Sequence, residues 1–164
     1  MSTLAARRLR TIGTAALSAV AVAVLGALTT QLGPWYYSLN VPPWKPPDWL
    51  FGPAWTLIFG LTALSGYMAW MRSGNRPGLQ ARILAAFAAN GIFNLLWSAL
   101  FFKMHRPDWA LAEVGMLWLS ILVLMILIGR VSALASALLT PYLAWVSFAA
   151  VLNYEIVRLN GPFA

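Results

Sequence analysis

Cysteine is absent from this 164-residue chain, acidic residues number four and histidine one. The first absence removes disulfides, thiolate metal sites and cysteine nucleophiles. The scarcity of the others leaves no carboxylate pair and no histidine–carboxylate metal spacing. No phosphate loop or catalytic triad is present either. The chain therefore reads as a non-enzyme that requires no cofactor or metal. Charged residues make up only 9% of it, against 61% hydrophobic residues and a mean hydropathy of +0.75. A soluble domain this small keeps a large surface and needs far more charge to wet it. The class is therefore membrane. The net charge of +7 sits in loops flanking apolar runs, which suits membrane-surface anchoring rather than nucleic-acid binding.

Five apolar runs each suit a hydrocarbon core that needs about 20 helical residues. They cover residues 11–32, 51–71, 81–102, 109–129 and 132–157. An all-α integral membrane bundle of five transmembrane helices, forming a single domain over 1–164, is the expected fold. The first run follows Arg7, Arg8 and Arg10. It is longer than a signal-peptide core of roughly 7–15 residues and lacks a clear small-residue cleavage site, so it reads as a retained span, with cleavage the alternative. Short polar connections at 72–80, 103–108 and 129–131 make successive spans antiparallel neighbours.

The connection at 33–50 differs. It holds five prolines and three tryptophans, and so many prolines preclude a regular helix. Tryptophan and tyrosine favour the membrane interface, so the segment reads as an interfacial belt or as a lid over the bundle. Arg7, Arg8, Arg10, Arg72, Arg76, Arg82 and Arg130 fall on one side of the bilayer, and Lys45, Lys103, Arg106 and Arg158 on the other. The positive-inside rule then puts the N-terminus in the cytoplasm and the lid opposite. His105, in a basic loop, reads as a solvated side chain. Asp108 is expected to cap the fourth helix, Glu113 to lie near the interface, and Glu155 to pair with Arg158.

At 100° per residue, Asn90, Asn94, Trp97 and Phe101 fall within about 60° of one another on the third span. Carboxamides are expensive in hydrocarbon unless partnered, so this stripe should face the bundle interior or a cavity. Polar contacts between helices would by themselves explain the two asparagines. Ala81, Ala85 and Ala88 lie on the opposite side, a small-residue ridge suited to a homodimer seam. On the second span Trp55, Phe59, Thr62 and Gly66 form a similar stripe. On the fifth, Tyr142, Trp145, Ala149 and Asn153 share a face, with Tyr154 and Arg158 on the far side. Three inward faces that mix large rings with a few polar groups suit a pocket for a flat, apolar ligand.

Several segments together carry a resemblance: Trp35-Tyr36-Tyr37 with Leu39, Pro43-Trp44-Lys45-Pro46-Pro47-Asp48-Trp49, and Pro53-Ala54-Trp55. Further along come Asn94-Leu95-Leu96-Trp97, Phe101-Phe102, Pro141-Tyr142-Leu143-Ala144-Trp145, Leu152-Asn153-Tyr154 and Arg158-Leu159-Asn160. In this order they resemble the TspO/MBR family, the tryptophan-rich sensory proteins and mitochondrial translocator proteins. The first span matches only in character. The resemblance implies a five-helix, usually dimeric fold that binds porphyrins such as haem and protoporphyrin IX, and in some members cholesterol or benzodiazepine-site ligands. It implies that Trp44, Trp55, Phe59, Asn94, Trp97, Phe101, Tyr142, Trp145 and Asn153 line or close the pocket, with Asn90 and Ala149 added from the helix stripes.

The family's sterol pattern matches Leu152, Tyr154 and Arg158, and the outward position of Tyr154 and Arg158 suits a lipid-facing contact. Three departures stand out: Phe59 where tyrosine is frequent, Asn90 where glutamine is, and Ser98 where proline is, the last implying a straighter third helix. Lys45 reads as snorkelling to lipid headgroups, with pairing to a porphyrin propionate the alternative. The resulting expectation is a bacterial inner-membrane receptor or sensor for porphyrin, with membrane lipid as the other partner. The alternatives are a porphyrin or lipid translocator, or a light- or oxidant-dependent porphyrin-degrading protein.

Overall fold

A computed structural model of the chain describes Gly13, Thr30, residues 32–74 and residues 76–163. The described residues are predominantly helical and contain no strand. In order they form α1 (Pro34–Ser38), α2 (Phe51–Arg72), α3 (Pro77–Ser98), α4 (Pro107–Gly129), α5 (Ala133–Ala137) and α6 (Thr140–Asn160). Four stretches are long and apolar enough to cross a bilayer: Asp48–Arg72, Pro77–Lys103, Pro107–Gly129 and Ala133–Asn160. They correspond to the second to fifth expected spans, and the all-α membrane class holds. The first expected span, 11–32, lies outside the described residues apart from Gly13, Thr30 and Leu32. Helices suit this solvent because every interior amide finds its carbonyl within the same segment.

Proline placement sets most helix starts. Pro77 and Pro107 open α3 and α4, where an amide would have no intrahelical partner anyway. Because Pro77 can begin a helix, α3 starts before the expected residue 81. The same chemistry corrects the reading of 33–50: Pro34 starts the short helix α1, and only the prolines from Pro42 onward keep the rest of the segment irregular. Pro141 also interrupts the last span. The expected continuous helix 132–157 is divided into α5 and α6 around Leu138 and Leu139, and it runs on to Asn160. Ser132 caps α5 by accepting from the Ala135 amide at 3.1 Å.

Ser98 leaves α3 unbroken, but regularity ends at the next residue. Ala99–Lys103 widen into a π turn, with the Met104 amide reaching the Ala99 carbonyl at 2.9 Å. His105 follows with φ 55, a turn conformation, and its exposed imidazole stacks on Trp35 with ring centroids 4.1 Å apart. Asp108 does not precede α4. It is the second residue of the helix, held by Arg106 through bonds of 2.9 and 2.5 Å, while Arg106 lies over the Trp109 ring. The carboxylate still favours the helix N-terminus.

α3 and α4 share the most extensive helix contact, followed by α4 with α6. At the end away from the lid, Ala69, Ile83, Leu124, Ile128, Ala135 and Leu139 form a closed core. The Ser65 hydroxyl donates to the Ala135 carbonyl at 2.6 Å, and Arg72 donates to Ser132. At the lid end Tyr36, Phe101, Ala110, Leu152 and Ile156 form a second cluster. There Asn160 ties the lid to α6, donating to the Asn40 carbonyl and accepting from its amide, both at 2.8 Å. The 33–50 segment thus folds onto the bundle as a lid.

Candidate ligand-binding site

Between these two ends α2, α3, α4 and α6, together with Thr30, Leu32 and the lid, line a partly open cavity of about 780 Å³. Side-chain size explains why the helices part there. Trp55 stacks on Phe59 at 5.2 Å, and Trp97 stacks on Phe101 at 5.3 Å. Trp145 meets Phe51 edge-on at 5.6 Å. The first two pairs stack along single helices and present broad faces to the space, Trp145 and Phe51 bridge α6 and α2, and Gly52, Gly60 and Ala63 keep the rest of the α2 wall thin. Farther along α2, Gly66 leaves room for the Phe87 ring of α3: a β-carbon there would stand 3.3 Å from it.

Of the residues singled out from sequence, Trp55, Phe59, Asn94, Trp97, Trp145 and Ala149 line this hollow. The others stand elsewhere. Tyr142 and Asn90 are buried behind the wall in a polar relay across three helices. Asn94 donates to the Tyr142 hydroxyl at 3.2 Å, Tyr142 donates to Asn90 Oδ1 at 3.3 Å, and Asn90 Nδ2 donates to Ser120 Oγ at 2.8 Å. Phe101 is buried in the lid-end cluster against Trp35 and Trp97. Trp44 is nearly half exposed, its ring edge on Phe148. Asn153 is fully buried between α6 and the first turn of α4. Its amide there is oriented to donate to the Pro107 carbonyl at 3.1 Å and accept from the Leu111 amide at 3.0 Å.

The sterol pattern does not share one outward face. Tyr154 and Arg158 are exposed, and Arg158 pairs with Glu155 at 2.7 Å as expected. Leu152, however, is buried against the lid-end cluster, because two positions along a helix turn the side chain by about 200°. Ala81, Ala85 and Ala88 are exposed along the outer side of α3.

The lid contributes lining that the helical wheels missed. Tyr36 and Asp48 both border the cavity. The Tyr36 hydroxyl donates to Asp48 Oδ1 at 2.7 Å, and Lys45 Nζ reaches the same oxygen at 2.5 Å. Lys45 is therefore folded against the lid and not directed at headgroups, since a nearby carboxylate offers the ammonium a closer partner. Burial, with the bond to Asp48, raises the Tyr36 hydroxyl well above the usual phenol range, so it remains a donor. Val114 and Leu117 of α4 and Val146 of α6 complete an apolar wall. An aliphatic fourth span carried no polar or aromatic stripe to mark them.

Glu113, one turn beyond Asp108 in α4, is 2% exposed, and neither carboxyl oxygen has a hydrogen-bond partner among the described residues. Counting two turns from the Asn90–Ser120 bond along antiparallel α3 and α4 brings Glu113 and Trp97 to a similar level. The Trp97 indole nitrogen is also buried, with no partner among the described residues. The cavity thus offers flat apolar walls, one carboxamide, and a polar rim at the lid.

A family model described as the TspO/MBR family matches residues 14–159 of the chain. The chain is 42% identical over 137 residues to "Tryptophan-rich protein TspO" of Chlorobaculum tepidum, covering 80% of this chain and 84% of that protein. It is 40% identical to "Tryptophan-rich sensory protein" of Cereibacter sphaeroides, with 77% of each chain covered. It is 34% identical to "Translocator protein" of Bos taurus, covering 77% of this chain and 75% of the bovine one.

Proposed function

Because the chain belongs to the TspO/MBR family, we propose that this multi-pass membrane protein is a receptor or sensor that binds porphyrin in the cavity beneath its lid. The observation that carries this reading is a hollow of about 780 Å³ bordered by Trp55, Phe59, Trp97 and Trp145. That volume falls within the roughly 300–1,000 Å³ of sites that enclose small organic ligands. A flat tetrapyrrole gains most from such walls, because stacking on several rings accompanies burial of its apolar faces. A benzodiazepine-type ligand, aromatic and largely apolar, suits the same walls. The exposed Tyr154 on the outside of α6 suits a sterol in the bilayer.

The test is a titration of purified protein with protoporphyrin IX, read by tryptophan quenching and by the porphyrin absorbance band. Saturable binding that weakens in Trp55→Ala and Trp145→Ala supports the reading. Binding that both variants retain unchanged removes it.

The exposed Ala81, Ala85 and Ala88 ridge supports a homodimer in which a second copy approaches the outer side of α3. Ala85→Phe should convert a dimer to a monomer in detergent, measured by mass in solution. A dimer that persists places the seam elsewhere. The arginine-rich start and helical spans suit a bacterial inner membrane. Membrane fractionation tests that location.

A further inference from the structure

Asp48 stands at the cavity rim with two donors on one oxygen. Both the Tyr36 hydroxyl and Lys45 Nζ converge on Oδ1, at 2.7 and 2.5 Å. The ammonium is held from other directions as well: Nζ lies 5.5 Å from the Tyr36 ring centroid and 3.5 Å from the Pro46 carbonyl. Its side chain is only 12% exposed, whereas that of Asp48 is 31% exposed. The donors are therefore fixed by the lid, and the acceptor is the member with access to water. Tyr36 and Asp48 border the hollow and Lys45 reaches its rim through Asp48, whereas Arg106 and Arg158 pair with Asp108 and Glu155.

We propose that Asp48 is a stand-in for a carboxylate of the ligand, and that Lys45 and Tyr36 form the acid-recognising end of the cavity. This rests on the porphyrin-binding reading above and narrows it to tetrapyrroles that carry free acid side chains. The exchange favours the ligand, because one carboxylate replaces another on the same two donors while Asp48, already the more exposed member of the pair, regains full hydration. A ligand without acid groups leaves the Lys45–Asp48 pair intact and gains only the ring contacts. An acid that failed to displace Asp48 would instead face its like charge at the rim.

The experiment titrates the full-length protein in detergent with protoporphyrin IX and, separately, with its dimethyl ester. The two share the ring and differ in the carboxylates. The wild type should prefer the diacid by about fivefold, the size of one partly screened ion pair. Lys45→Met should bring that ratio close to one, and Lys45→Arg should keep it, since a guanidinium also pairs with carboxylate. Asp48→Asn should raise the ratio by freeing the donors. Equal affinity of the wild type for acid and ester overturns the proposal, as does a Lys45→Met ratio that matches the wild type. In both cases ester binding shows that the cavity reading survives. If neither porphyrin binds the wild type, the cavity reading itself fails, and this inference with it.

Discussion

The two ends of this bundle use the same helices for opposite purposes. Away from the lid, Ala69, Leu124, Ile128, Ala135 and Leu139 have no exposed surface at all, and serine hydroxyls close the remaining gaps onto backbone carbonyls. Toward the lid, the facing residues are indoles and phenyl rings, and about 780 Å³ stays open between them. Lipid tails are as apolar as leucine, so helices in a bilayer associate through close packing and polar contacts. Alanine and interdigitated aliphatic side chains at one end supply the packing. Large rings at the other cannot interdigitate fully, and a ligand-sized hollow results. The closed end carries the stability that lets the open end remain open.

Substitution at the closed end should have the largest effect. Ile128→Ala creates a void in a full core and should destabilise the protein by about 2–5 kcal/mol, read by thermal unfolding in detergent. Trp55→Ala, beside a space that already exists, should cost less than half as much by the same measurement. A larger loss for Trp55 than for Ile128 would reverse the assigned roles of the two ends.

In ligand affinity the order should invert. Trp55→Ala should weaken protoporphyrin IX by about tenfold, because it removes one stacking face, and Ile128→Ala should leave the titration midpoint in place for the protein that remains folded. Between the two ends lies the relay of Asn94, Tyr142, Asn90 and Ser120. Tyr142→Phe deletes its central hydroxyl and should cost about 0.6 kcal/mol, a typical interhelical hydrogen bond in a membrane protein. An effect on unfolding with none on binding would place the relay in the scaffold. An effect on binding alone would place it in the site.

The sequence made the closed architecture easier to read than the hollow. Apolar runs and basic loops located the second to fifth spans, and prolines at positions 77 and 141 account for the boundaries that moved. The helical wheel put Asn90, Asn94 and Tyr142 on inward faces, which they occupy. It could not say that they bond to one another, because a wheel gives an angle and no partner. Trp55, Phe59, Asn94, Trp97, Trp145 and Ala149 border the cavity as the stripes suggested. Val114 and Leu117 gave no sign, since an aliphatic wall of a cavity and an aliphatic core read alike. Tyr36 and Asp48 were hidden for a different reason: the lid has no period to project, and its contact with the hollow comes from folding back across the bundle.

Glu113 shows what a helical position leaves open. Its place early in α4 reads as near the interface, and within the bundle it is buried with no hydrogen-bond partner among the described residues. An ionisable group in that position is costly to keep in a bilayer, and such groups mark functional interiors.

The most direct test is a structure of the protein with protoporphyrin IX bound. The account predicts the tetrapyrrole beneath the lid, its faces against Trp55, Trp97 and Trp145. A ring lodged on the outer face of α3 or in the surrounding detergent, with the space beneath the lid empty, would contradict it.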